Sequence, residues 1–245
     1  MRFRSSNPIY RRVINTSQTD LSNTVTYTGV GTKTFLLACI AAFSAVLVAV
    51  NFMTKSYVNP GLVIFASIFG FIAAMVGSIN PRYSMICSIV YALLEGVTLG
   101  LVSAIYTIAF GNLIVPYALM MTIGVVLIMS ILYSSNIIRV TSTFRTIMFT
   151  ALIALSLGSL VILLLSLFGV TLGIGVEVYL LVGVISAIIA SLYLAIDFQN
   201  ITNCVYQGVA KEYEWALSLS LMITIVWLYF ELLRIVVYLA LRNDR

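Results

Sequence analysis

Long apolar runs separated by short polar, Gly- or Pro-containing breaks dominate the chain from residue 34 to residue 241. Each run reaches about 20 residues, the length an α-helix needs to cross a hydrocarbon core of about 30 Å. Spans are predicted at 34–53, 59–79, 84–108, 113–134, 147–169, 176–199 and 214–241. Between them lie Asn59-Pro60, Asn80-Pro81, Gly111-Asn112, the segment from Ser134 to Arg145, Gly169 to Gly175, and Gly208 to Lys211. Such residues stop helices by removing an amide donor or by favouring turns. The runs are continuous rather than alternating, which argues against a membrane β-barrel. The pattern therefore predicts an all-α integral membrane protein, a seven-transmembrane helical bundle at 34–241. A polar N-terminal tail at 1–33 precedes it and a short C-terminal tail at 242–245 follows.

Composition agrees. Hydrophobic residues make up 62% and charged residues 9%, against about a quarter charged in soluble domains. The 245 residues leave no room for a sizeable soluble domain beside the bundle. The net charge of +5 sits in the tail and loops, a pattern of membrane orientation rather than of nucleic-acid binding. Arg2, Arg4, Arg11, Arg12, Lys33, Arg82, Arg139, Arg145 and Lys211 would share one side, against Lys55, Arg242 and Arg245 on the other. The positive-inside bias thus places the N-terminus in the cytoplasm and the C-terminus outside. Cys39, Cys87 and Cys204 have no metal-binding spacing and read as packed free thiols. The chain has no histidine, which removes the usual pH switch and the commonest zinc ligand.

Three acids interrupt apolar runs: Glu95 in YALLEGVTLG, Asp197 in SLYLAIDFQNI and Glu231 in IVWLYFELLR. A carboxylate at mid-membrane costs about 2.5–3.5 kcal/mol on insertion scales, so it usually marks an ion pathway, a proton switch or a buried pairing. Helical spacing turns each acid into part of a polar stripe. The sixth span carries Tyr179, Gly183, Ser186, Ala190, Tyr193 and Asp197. The seventh carries Ser220, Thr224, Trp227, Glu231, Arg234 and Tyr238, and the third Ser88, Tyr91, Glu95, Thr98 and Tyr106. These stripes should face one another or a wet cavity, although hydroxyls and small residues also pack membrane helices with no transport role. On the second span Ala66, Gly70, Ala74 and Ser78 form a small-residue ridge expected to pack inside.

Arg234 follows Glu231 by one helical turn, and two arrangements fit that spacing. An ion pair would hold Glu231 charged and inert. An outward-reaching Arg234 would instead free Glu231 to pair with Asp197. Two carboxylates sharing a dry site titrate as a unit and, once both protons leave, can bind a divalent cation. Arg82, at the level of Asp197, reads either as an ionic latch over that acid or as a topology-setting loop residue.

LYLAIDFQNI, the following KEYEW and then WLYFELLR resemble the sixth and seventh helices of Bax inhibitor-1 family proteins. SSNP near the start and YALLEGVTLG resemble a bacterial-type branch of that family. The resemblance implies a bundle whose seventh helix is central and surrounded by the other six. It also implies a calcium leak gated by protonation of a carboxylate pair on helices six and seven. By position, Asp197 matches the helix-six aspartate and Glu231 stands for the helix-seven aspartate, with Ca2+ held or passed between them. Arg82 resembles the helix-two arginine that latches the closed state. The second acid is Glu rather than Asp, and its sequence separation from Asp197 is longer than usual, which makes Glu95 a further candidate member of the site.

The expected function is a pH-sensitive calcium leak channel, with no cofactor and with the bilayer, calcium ions and protons as its partners. The alternative is a non-conducting regulator that binds another membrane protein, such as a quality-control protease or a channel. Enzyme classes fit poorly: a rhomboid-type Ser–His pair and HExxH both need histidine, and the two-aspartate settings of an intramembrane protease are met only loosely. The bacterial-type resemblance implies the plasma (inner) membrane; a eukaryotic relative would sit in an endoplasmic reticulum-like membrane.

Overall fold

The computed structural model describes residues 23–55, 60–169 and 176–243, and most of the expected 1–33 tail and residues 244–245 lie outside them. Seven helices follow in order: α1 (Tyr27–Lys55), α2 (Pro60–Ile79), α3 (Pro81–Phe110), α4 (Ile114–Ser134), α5 (Ser142–Leu167), α6 (Val176–Tyr206) and α7 (Tyr213–Asn243). All seven are long and apolar enough to cross a membrane. The protein is a multi-pass integral membrane protein of the all-α class. Large side chains such as Phe35, Phe43, Ile64, Phe71, Ile86 and Met120 face outward, a surface suited to acyl chains.

The helices are longer than the apolar runs. Thr26 caps α1, its Oγ1 accepting a hydrogen bond from Gly29 N at 3.0 Å. That cap starts the helix at Tyr27, inside the stretch expected to be tail. Thr141 caps α5 in the same way, through Phe144 N at 3.1 Å. α6 runs on to Tyr206 and ends at Gly208, whose φ of 62° favours glycine. At 31 residues, α6 and α7 are each roughly 46 Å long, beyond the hydrocarbon thickness. α7 continues to Asn243, past the start of the expected C-terminal tail.

α7 is the axis of the bundle. It packs against α1, α2, α3, α4 and α6, while among the described residues α5 touches only α6. Helix seven is therefore surrounded by five helices rather than the six implied by the resemblance. α5 is nearly all lipid-facing, with few buried side chains along its length. Three apolar clusters fix α7: Leu37, Tyr91, Leu219 and Met222 on one side, Ala118, Tyr229, Leu233 and Val237 on another, and Ala190, Leu194, Leu228 and Leu232 towards α6.

Close helix approach depends on small residues. On α2 the buried line is Ala66, Gly70, Ala73 and Gly77, and Ser78 is exposed. Strict four-residue spacing drifts off one face of a helix with 3.6 residues per turn, so the expected ridge leaves the interface before Ser78. On α3, Gly96 and Gly100 lie against the α1 backbone, a small-xxx-small contact the sequence reading missed. A Cβ at position 100 would sit 2.3 Å from Ala45 O. Gly100→Ala is expected to push α1 and α3 apart and cost about 1–3 kcal/mol, read as a lowered unfolding temperature in detergent.

Candidate functional site at the α6–α7 seam

α6 and α7 are antiparallel, and their polar stripes meet face to face. At the end of the bundle where α1 begins, Asp197 is 5% exposed. Its Oδ1 accepts a hydrogen bond from Ser220 Oγ at 2.8 Å and its Oδ2 one from Thr224 Oγ1 at 2.6 Å. Because α6 continues to Tyr206, Asp197 lies about 13 Å from the helix end rather than at it. Its electrostatic neighbour on α6 is Tyr193, one turn earlier. Next along the seam, the Tyr193 and Trp227 rings meet edge to face, 6.1 Å between centroids.

Glu231 occupies the following layer. Its Oε1 accepts from Ser186 Oγ at 2.9 Å and from Trp227 Nε1 at 3.3 Å. Among the described residues its Oε2 receives no hydrogen bond, and it lies 3.0 Å from Arg234 Nη1, an ion pair without hydrogen-bond alignment. Of the two arrangements open from the sequence, the self-neutralising pair is the one present. Tyr179, the first residue of the α6 stripe, has no described side chain.

This geometry corrects four expectations. Asp197 and Glu231 are not a pair: Thr224 and Glu231 are two turns apart on α7, roughly 10 Å along the axis. The α7 groups opposite Asp197 are the hydroxyls of Ser220 and Thr224, and the Tyr193–Trp227 layer lies between the acids. For the same reason the two carboxylates do not converge here on one point at the roughly 2.3–2.6 Å typical of calcium ligands. Nor is any group of three or more metal-ligating side chains present among the described residues. Arg82 is exposed at the start of α3 and forms no ion pair among the described residues, so it does not latch Asp197. Equal depth along the bundle did not bring it to the same side.

Glu95 does not join the site either. Its carboxylate faces α2, with Oε2 3.9 Å from where a Cβ on Gly70 would stand. The α3 stripe splits: Ser88 donates to Trp215 O of α7, while Glu95 turns into the α2–α3 seam. Cys39, Cys87 and Cys204 are free; Cys87 and Cys204 are half-buried, whereas Cys39 is exposed rather than packed.

One charged cluster escaped the sequence reading altogether. Glu214, in the first turn of α7, is 1% exposed. It accepts from Thr26 N and Thr26 Oγ1, both at 3.0 Å, and pairs with Lys33 Nζ. Lys33 also lies 5.2 Å from the Trp215 ring centroid. The chain before α1 is held beside it, Val25 N donating to Val209 O and Lys211 N to Asn23 O. Nearby, a cleft of about 450 Å³ opens between α1, α4, α6 and α7, walled by Tyr27, Tyr133, Phe198, Thr202, Tyr206 and Leu221. Phe198, next to Asp197 in the chain, lines this cleft, and Asp197 does not.

A Thr224→Val substitution would leave Asp197 Oδ2 without its donor, at a cost of about 1–3 kcal/mol. A lowered melting temperature is expected at alkaline pH and a smaller loss at acid pH, where a neutral acid needs that donor less.

No curated protein matches the chain. The family model described as Bax inhibitor 1 like matches residues 7–241, covering all seven helices and both seam acids. By that match over most of its length, the chain belongs to the Bax inhibitor 1 like family.

Proposed function

We propose that this membrane protein is a pH-sensitive cation leak, with calcium as cargo, whose pH dependence is set by the protonation of Asp197. The observation that carries this reading is a buried carboxylate that bonds α6 to α7 through two hydroxyls and has no cationic partner among the described residues. Ionised Asp197 accepts from both Ser220 and Thr224 and closes the seam. A proton on either oxygen turns an acceptor into a donor, and one of the two contacts must break or reverse. The seam loosens as pH falls, at the end where the cleft gives water a way in.

Glu231 plays no part in this switch, because Arg234 is its counter-charge and the Tyr193–Trp227 layer stands between it and Asp197. Calcium is passed rather than stored, consistent with oxygen groups in single layers along the seam. With the N-terminus cytoplasmic, the Asp197 layer faces the cytoplasm.

Purified protein in liposomes carrying a calcium dye provides the test. Leak should rise as pH falls, and Arg82→Ala should leave it unchanged at every pH. Absence of flux at all pH values would overturn the leak and favour the non-conducting regulator. A constitutive leak in Arg82→Ala would restore the latch.

A further inference from the structure

We infer that Arg234 is a tethered cation occupying a second ion site, at Glu231, in series with Asp197. Glu231 is 7% exposed, yet only Oε1 is hydrogen-bonded. Oε2 is buried, takes no donor and is aimed at the guanidinium. The arginine side chain is itself 48% exposed and reaches that oxygen from outside the seam. Gly183 makes the reach feasible: a Cβ there would stand 3.3 Å from Arg234 Cδ. Arg234 also lines an apolar groove of about 130 Å³ between α6 and α7, with Leu180, Val237 and Tyr238. This groove lies towards the end of the bundle opposite the Asp197 layer.

A carboxylate oxygen in that position suits a hard inorganic cation, with Ser186 Oγ able to turn a lone pair towards the same point. Held by its own chain, Arg234 competes at high effective concentration with any ion arriving at Glu231. The Tyr193–Trp227 layer separates this site from the inner one. A passing ion would therefore meet two carboxylate layers with an aromatic step between them. The transport consequence rests on the leak reading, whereas the ion site itself does not.

Trp227 reports on the site directly, because its indole N–H is bonded to the Glu231 carboxylate. The chain has two tryptophans, so a Trp215→Phe background keeps a ring beside Lys33 and leaves Trp227 as the single indole. CaCl2 titration in that background should give a saturable change in Trp227 emission for Arg234→Gln. No such change is expected for the parent, for Arg234→Lys, which keeps the tethered charge, or for Arg234→Gln with Glu231→Gln. In liposomes Arg234→Gln should leak calcium about tenfold faster, as loss of one charge pair at a barrier implies. Identical titrations for Arg234→Gln and the double variant would overturn the inference. A saturable signal without faster leak would support the ion site and count against the leak reading.

Discussion

Asp197→Asn should abolish the pH dependence of calcium leak and hold it at the acid-pH rate of the native protein. Asparagine keeps the shape of the carboxyl group but carries an NH2 where the ion had an acceptor. One of the two contacts, to Ser220 Oγ or Thr224 Oγ1, then faces a donor, as it does when Asp197 is protonated. Losing a hydrogen bond to a charged group costs about 1.5–3 kcal/mol, so the leak at alkaline pH should rise roughly ten- to hundredfold. Glu231→Gln should leave the pH profile in place, since Glu231 sits two turns away behind the aromatic layer. Calcium flux in liposomes across a pH series reads both. A native pH profile in Asp197→Asn would remove this residue from the mechanism.

Lys33→Met should be the most damaging single change outside the seam. Glu214 is 1% exposed, and its ammonium partner offsets the cost of taking that charge out of water. Removing one member of a buried pair typically costs about 3–5 kcal/mol, because the other charge stays buried and unpaired. The loss should also free the 23–26 segment from α7, since Thr26 N and Oγ1 bond the same carboxylate. Glu214→Gln combined with Lys33→Met should recover much of the lost melting temperature in detergent. Gly29→Ala should approach the same severity, as its Cβ would fall 2.1 Å from Glu214 Oε1. Equal melting temperatures for the native protein and Lys33→Met would show that the cluster is not structural.

Breakers and apolar length were enough to read the bundle. Pro60 and Pro81 open α2 and α3, and Gly208 closes α6, because each restricts the backbone whatever surrounds it. Asp197 was legible as an acid in an apolar run, and the α7 stripe already contained Ser220 and Thr224, its actual partners. Distances across the bundle were not legible. Arg82 shares the end of the bundle with Asp197 but not its side, and Glu95 shares a stripe with Ser88 but faces another helix. Lys33 read only as a charge setting orientation and Glu214 only as the first residue of the last span. Their pairing depends on α1 starting at Tyr27, which polar YTGVGTK does not announce. The Glu-for-Asp difference at 231 and the longer separation counted against a pairing with Asp197, and hydroxyls fill the seam opposite that acid.

Whether Asp197 takes up a proton and opens the seam in one event can be read by infrared titration of its carboxyl C=O band. The band is isolated by subtracting Asp197→Asn spectra and recorded on the liposomes used for calcium flux. Protonation of Asp197 and the rise in leak should share a single pH midpoint. An Asp197 band that titrates where the leak stays flat, or a leak that turns on while the band stays constant, would contradict gating at this residue.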